Sequence, residues 1–375
     1  MKILLLGEYS NVHNTLAEGL RVLGHDVTVA SDGDSWKNYP RDIDLARHLG
    51  ERFDRIGYMS RLARALVHMR GFDVVQLINP VFFELKAEKI MPFYRYLRRH
   101  NKKMVMGAFG MDYYWAHINT HTRPLRYSDF NFGETIRTDA EAEKFRKEWI
   151  GTAKERLNRQ IALDCDGIPA GLYEYWATYD QVHETGRNGI AVRDKMEFIP
   201  YPIKPCANPD TTFHGGPLRL FIGISKNRSV YKGTHIMLAA AQKIVQDFPG
   251  KVELKIAEGV PFSTYQEMMD NSDAILDQLY SYTPSMNALL AMSKGIINIG
   301  GGEPENYHIL NEEILRPIIN VEPSYESVYN QLRNLVLNPG MITHLKQQSV
   351  DYVNTYHDYL KVAQKYIWFY ESKLI

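Results

Sequence analysis

From Lys2 to Ser31 the chain reads KILLLGEYSNVHNTLAEGLRVLGHDVTVAS. An unbroken apolar run, a loop opened by Gly7, an amphipathic helix and a second apolar strand follow in that order. The first run shows no alternation with polar residues, so both faces of that strand must be covered. A parallel sheet flanked by helices provides that cover. The crossover between two such strands is right-handed. The same alternation continues through DVVQLI at 73–78 and KMVMGAF at 103–109, and the pattern predicts an α/β, doubly wound parallel sheet.

The grammar then stops and restarts. EFIPYPIKPCANPDTTFHGGP at 197–217 crowds prolines and glycines without periodicity, as a linker does. Beyond it LRLFIG, KVELKIA, DAILDQL and IINIG are strands, separated by the helical stretches THIMLAAAQKIVQDF, TYQEMMDNS and SMNALLAMSKG. The division expected is a first Rossmann-like domain at 1–200, a linker at 201–217, a second Rossmann-like domain at 218–350, and a final helix at 351–375 that crosses back to the first. Ligands bind such folds outside the carboxyl ends of the strands, so a cleft between facing domains is expected.

With 375 residues the chain is long enough for two cores. Lys plus Arg equals Asp plus Glu at 44 each, so no global field selects nucleic acid. Two cysteines, Cys165 and Cys206, make neither a disulfide framework nor a zinc set. No signal peptide is expected, because Glu8 ends the first apolar run. No stretch reaches the roughly 18–20 apolar residues of a membrane span. A cytoplasmic protein, at most peripheral to a membrane, is the expectation.

Three cations, Lys226, Arg228 and Lys232, lie between the strand ending at Gly223 and the helix beginning after Gly233. Cations beside a helix N-terminus suit a phosphate; a solvated basic loop is the bland alternative. No Walker A or GxGxxG pattern occurs. Asp277 and Gln278 end another strand, and Thr283, Pro284, Ser285 and Asn287 open the next helix, as an anion site or as simple capping. GGGEPEN at 300–306 sets Gly301 and Gly302 before Glu303 and Glu305. Bare backbone admits a ligand closely, and the acids there read hydroxyls or are two exposed loop residues.

In the first half, Gly7, Glu8, Tyr9, Ser10 and Asn11 follow strand one, where a ligand would meet the sheet. His13 begins the next helix, and Asp112 follows another strand. Both are candidate acid/base or hydroxyl-binding groups, although a lone His or Asp is more often structural. The triplets DGD at 32–34 and DCD at 164–166 lack a supporting acidic cluster, and no metal is expected. KAEKIMPFYRYLRRHNKKM at 86–104 suits an anionic membrane surface or the solvated face of a crossover helix.

Taken in order, these pieces resemble the GT-B glycosyltransferases, specifically the retaining family 4 or "group 1" transferases. The resemblance spans nearly the whole chain. The opening strand–loop–helix with GHDVTV, EFIPYPI before the hinge, FIGISKNRSVYKGTHIMLAAAQKI, and LLAMSKGIINIGG fall in the family's sequence. It implies transfer of a sugar from a nucleoside diphosphate donor, of UDP or GDP type, held mainly by the second domain. Gly7 to Asn11 then lie on the acceptor side.

By position Lys232 matches the family's donor-phosphate lysine. Ile224 stands where the family has an arginine, which Arg228 replaces. Thr283 to Asn287 fall where family members offer amides to the diphosphate. The two family glutamates are here Tyr282 and Leu290. Leucine accepts no hydrogen bond, so either Glu303 or Glu305 has taken over or donor binding is altered. The resemblance implies no cofactor and no metal: Lys232, Arg228 and helix amides would stabilise the departing diphosphate. The acceptor expected is a glycan or lipid-linked molecule in surface polysaccharide synthesis. A catalytically weak GT-B scaffold that binds a partner, or a nucleotide-sugar epimerase, are the alternatives.

Overall fold

Each alternating stretch closes into a five-stranded parallel sheet in the computed structural model, which describes residues 1–47, 54–225 and 228–374. The first sheet comprises β1 (Lys2–Leu6), β2 (Asp26–Ser31), β3 (Ile43–Asp44), β4 (Val74–Leu77) and β5 (Lys103–Met106), in the order β3-β2-β1-β4-β5. Ile3 to Leu6 are wholly buried, as a strand covered on both faces requires. A short antiparallel hairpin, β6 (Asn131–Phe132) with β7 (Thr135–Ile136), comes next in the chain. Then β8 (Ile168–Ala170) pairs with β9 (Met196–Phe198), and the single bridges Val105–Gly167 and Ala108–Ala170 tie this pair to β5 and the residues just after it.

The second sheet runs β11-β10-β12-β13-β14. Its strands are β10 (Leu218–Ile224), β11 (Val252–Glu258), β12 (Ala274–Leu276), β13 (Ile297–Gly300) and β14 (Ile319–Asn320). Every pairing within it is parallel. One face carries the larger core, built on Leu220, Ile222, Leu276, Ile297 and Ile299. The other packs Phe221, Ile275 and Ala291 together. The paired doubly wound architecture expected from the sequence is what the chain adopts.

The chain divides into two compact units, and not at one point. The first comprises Met1–Pro124, Lys144–Pro202 and the segment from Tyr359 onward. The second comprises Leu125–Glu143 and Ile203–Asp358. The continuous span 1–200 expected for the first domain is thus interrupted, because Leu125–Glu143 finds its hydrogen-bond partners in the second unit. The final helix, Tyr359–Ser372, lies on the helix Val12–Val22 of the first unit. A Cβ at Gly19 would come within 2.5 Å of the Tyr359 carbonyl oxygen, so that seat needs glycine. The Tyr370 hydroxyl donates to Gln76 Oε1 on β4 at 2.7 Å.

The basic stretch 86–104 forms the helix Met91–His100 and its flanks. Lys86, Lys89, Arg95, Arg99 and Lys102 are exposed. Arg98 turns inward to Asp166 and Asp164. Among the described residues no helix is long and apolar enough to cross a membrane.

Candidate functional site

Each sheet has one place where the strand order reverses, and crevices open there in doubly wound folds. In the first unit it lies between β1 and β4. Gly7 leaves β1 there, followed by Glu8, Tyr9, Ser10 and Asn11. The buried Glu8 carboxylate accepts from the backbone N–H of His13 at 3.2 Å and of Asn14 at 2.8 Å. It therefore caps the helix Val12–Val22, whose own N-cap residue Asn11 makes no side-chain cap. Burial pushes the Glu8 carboxyl up to about 8, against the two amides. Ser10 donates its N–H to Asp34 Oδ2 at 2.8 Å, and the Tyr9 ring lies beside Gly110.

His13 is wired on both sides. Its Nδ1 is 2.8 Å from the Gly7 carbonyl, which can only accept, so Nδ1 carries the proton. Nε2 then accepts from Gln76 Nε2 at 3.1 Å. Burial lowers the imidazole to about 4 although the Gly7 carbonyl opposes it. Asp112 is engaged in the same way. One oxygen caps the helix Tyr113–His121 through Trp115 N–H at 2.8 Å, and the other accepts from the Tyr179 hydroxyl at 2.6 Å. Burial raises its carboxyl to about 6 against those bonds. Both ring nitrogens of His13 and both carboxylate oxygens of Asp112 thus have partners within the first unit.

The acidic triplets are likewise in use. Asp34 takes Lys37 Nζ at 2.6 Å, Asp164 takes the Tyr94 hydroxyl at 2.7 Å, and Asp166 takes Met104 N–H at 2.7 Å.

In the second unit the order reverses between β10 and β12. Gly223 lies near the end of β10, and a Cβ there would meet the Tyr265 ring at 2.6 Å. Lys226 lies outside the described residues. Arg228 is exposed, its guanidinium 5.3 Å from the Tyr231 ring. Lys232 ends the short helix Ser229–Lys232, and its carbonyl accepts from Leu279 N–H at 3.0 Å. Gly233 follows at φ 73°, a left-handed turn that starts the helix Thr234–Asp247.

Asp277 follows β12. It accepts from Asn287 Nδ2 at 3.1 Å and Ser285 Oγ at 3.3 Å, so the start of the helix Met286–Ser293 is tied to the strand end. Gln278 is half-buried beside it, and Thr283 and Pro284 are buried. Thr283 accepts at its carbonyl from Ser281 Oγ at 2.6 Å.

The glycine loop is bare for an internal reason. A Cβ on Gly301 would lie 2.2 Å from the Ser281 carbonyl oxygen, and one on Gly302 would lie 2.7 Å from Ile318 Cγ2. Both are buried. The absent side chains let the loop close on its own neighbours, so the exposed backbone expected from the sequence is reserved for the chain itself. Below the loop, Asn298 on β13 is 1% exposed, and among the described residues neither its Oδ1 nor its Nδ2 has a partner. Its Oδ1 is 3.4 Å from where a Cβ of Gly300 would stand. A buried amide left unsatisfied costs about 1–3 kcal/mol. Asn298→Leu is therefore expected to raise the unfolding free energy by about that much, as urea titration would show.

The residues that sequence reasoning missed lie in Leu125–Glu143. Arg126 pairs with Glu303 at 2.7 Å and with Glu305, and its guanidinium sits 5.0 Å from the Tyr282 ring centre. The Tyr127 hydroxyl donates to Glu303 Oε1 at 2.6 Å. The Tyr282 hydroxyl accepts from Arg126 N–H at 2.7 Å. Burial opposes ionisation of Glu305, but the Arg126 hydrogen bonding and charge, together with the backbone amide of Glu305 itself, hold the carboxyl below its usual range. Arg137, buried, donates to the carbonyls of Ser128 at 3.2 Å and Tyr231 at 3.0 Å and pairs with Asp139 at 3.0 Å. The rings of Tyr280, Phe132 and Tyr231 surround it at 4.4–5.6 Å. The available signal was RPLRYSDFNFGETIRTD at 123–139, aperiodic and dense in arginine and aromatics. A loop of that length is commonly functional.

No family model matches the chain, and no curated protein matches its sequence. Solved structures do match. One is sucrose-phosphate synthase from Thermosynechococcus elongatus, at 12% identity over 99% of this chain and 98% of that one, with a TM-score of 0.58. A glycosyltransferase from Rickettsia africae is 11% identical over 98% and 97%, with a TM-score of 0.55. HepE of Anabaena, solved with UDP, is 10% identical over 98% of each chain, with a TM-score of 0.57. The structural neighbours are GT-B glycosyltransferases. At these identities the likeness is one of fold, and the fold of this chain is GT-B.

Proposed function

We propose that the protein is a glycosyltransferase of the retaining family 4 type. It moves a sugar from a nucleoside diphosphate sugar to a glycan or lipid-linked acceptor at the cytoplasmic side of surface polysaccharide synthesis. The observation that carries the reading is the reversal point of the second sheet. There Lys232 is held by backbone bonds to Leu279 and, through the Tyr231 carbonyl, to Arg137. Asp277, Ser285 and Asn287 form the adjoining wall. HepE, of the same fold, has been solved with UDP and with UDP-glucose.

In this reading Lys232 and Arg228 meet the diphosphate, with Lys226 on the same loop. Departure of the nucleoside diphosphate concentrates negative charge on its terminal phosphate, and fixed cations stabilise that charge most in the transition state. The leaving phosphate takes the acceptor proton, so no side-chain base is required, and the cations serve in place of a metal. Gly7 to Asn11 are assigned to the acceptor.

A second reading has its own support. The Tyr282 hydroxyl is engaged by a backbone amide, and Leu290 packs against the apolar cluster of Phe221 and Ile275. Neither residue replaces a ribose-reading carboxylate, as a scaffold without turnover would have it.

Thermal-shift titration with UDP, GDP and ADP, and with their sugar conjugates, separates the two. A ligand at one hundred times its dissociation constant adds about 2.7 kcal/mol to stability. A shift with one nucleotide that Lys232→Ala abolishes is expected. Silence from every nucleotide at millimolar concentration would favour the scaffold.

A further inference from the structure

Glu303 and Glu305 are the acids expected to read sugar hydroxyls, yet all four of their carboxylate oxygens already accept hydrogen bonds from two neighbouring residues. Arg126 donates to Glu303 Oε2 at 2.7 Å, to Glu305 Oε2 at 3.2 Å and to Glu305 Oε1. Tyr127 takes Glu303 Oε1. The carboxylates lie underneath, with side chains 9% and 24% exposed, and the Arg126 side chain above them is 55% exposed. What this end of the second sheet presents to solvent is a guanidinium.

Each oxygen keeps a second lone pair, but with the Arg126 side chain lying over the carboxylates a ligand hydroxyl reaches them only where the guanidinium moves aside. A guanidinium fork and a vicinal diol are chemically alike from below: each directs two adjacent polar hydrogens at one acceptor pair. A flat aromatic face, here Tyr282, also serves either a guanidinium or the C–H face of a sugar ring. The unpartnered amide of Asn298, buried beside Gly300 at the base of the same loop, independently marks this end as incomplete.

The two ends of the segment differ in how firmly they are held. Arg137 is buried, ringed by three aromatics and bonded to backbone carbonyls. Arg126 is exposed, and among the described residues it is paired through side chains and its own amide. Exposed ion pairs are weak.

We propose that Arg126 is an internal cap on a polyol site. Its guanidinium stands in for the hydroxyls of a hexose on Glu303 and Glu305, and a sugar binds by displacing it while Arg137 keeps the segment anchored. This rests on the nucleotide-sugar reading for the nature of the ligand.

The test compares wild type, Arg126→Ala, Arg126→Lys and Arg126→Ala/Glu303→Gln by calorimetric titration. One arm uses UDP and UDP-hexoses; the other uses free methyl glycosides of glucose, galactose, mannose and N-acetylglucosamine at high concentration. A cap open about a tenth of the time predicts that Arg126→Ala tightens at least one sugar about tenfold relative to wild type. Arg126→Lys, which keeps the charge without the fork, should fall between, and the double variant should lose the gain. No gain for any sugar in either arm, or weaker sugar binding in Arg126→Ala, would overturn the cap. Failure of UDP and its conjugates to bind any variant would overturn the nucleotide assignment alone, because the methyl glycosides still judge the cap.

Discussion

Asp273→Ala is expected to destabilise the second unit by about 3–5 kcal/mol. Asp273 is 1% exposed at the foot of β12 and accepts three hydrogen bonds from Arg219, one from its backbone at 3.0 Å and two from its guanidinium at 3.0 and 2.8 Å. Lys346, on the helix Ile342–Tyr356, is 2% exposed with its ammonium 3.4 Å from Asp273 Oδ1 and 3.8 Å from Asp210. Deleting the aspartate strands a buried ammonium whose remaining anion is at the edge of ion-pair range. Lys346→Met should cost far less, because Asp273 keeps Arg219 and the methionine chain fills the same channel. Urea titration of the two variants reads the contrast; equal costs would refute it.

The pH dependence follows the same geometry. Burial works to raise the Asp273 carboxyl, but the Arg219 bonds outweigh it and hold it below the ordinary value of 3.8. A depressed carboxyl contributes stability above its unfolded value and loses it as pH falls through the folded one. This contribution is therefore constant at neutral pH and fails only in acid.

Glu8 gives the opposite sign and the second large effect. Its carboxyl moves from 4.5 in the unfolded chain to about 8 in the fold, so the native state holds a proton that the unfolded state has released. Stability is full below 4.5 and falls as pH rises to about 8. At about 1.4 kcal/mol per pH unit the loss across that interval approaches 5 kcal/mol. His13, lowered from 6.5 to about 4, acts in reverse: its stability is full above 6.5 and is lost as pH falls. Between 4.5 and 6.5 the two slopes cancel, and above 6.5 Glu8 acts alone. Wild-type stability measured from pH 6.5 to 8 should decline steeply, and Glu8→Gln should flatten the line. A flat wild-type profile would show that the carboxylate is stabilised by its two amides and by water at the loop.

The strands were legible because covered parallel strands must be apolar throughout, and the reversal points follow from their order. The positions of Asp277 and Gly7 were legible with them, since each directly follows a strand, and so was that of Lys232, on the loop and short helix that follow β10. Arg126 and Arg137 were not. Their partners, Glu303 and the Tyr231 carbonyl, are far along the chain, and two-residue strands such as Asn131–Phe132 leave no periodicity to read. The partners of His13 and Asp112 were not legible either, because sequence shows a side-chain type without its partners. The glycines of the 300–302 loop were read as room for a ligand; in the structure the group that lies close to Gly301 is the Ser281 carbonyl of the chain itself.

The chain passes from one unit to the other four times, after Pro124, Glu143, Pro202 and Asp358. The helix that covers Val12–Val22 begins only at Tyr359, so during synthesis the first unit waits with an uncovered helix until Tyr359–Ser372 has emerged. The second unit has its full complement of chain by Asp358. Domains that lie in sequence mature in the order of translation; here the unit begun first is the one completed last.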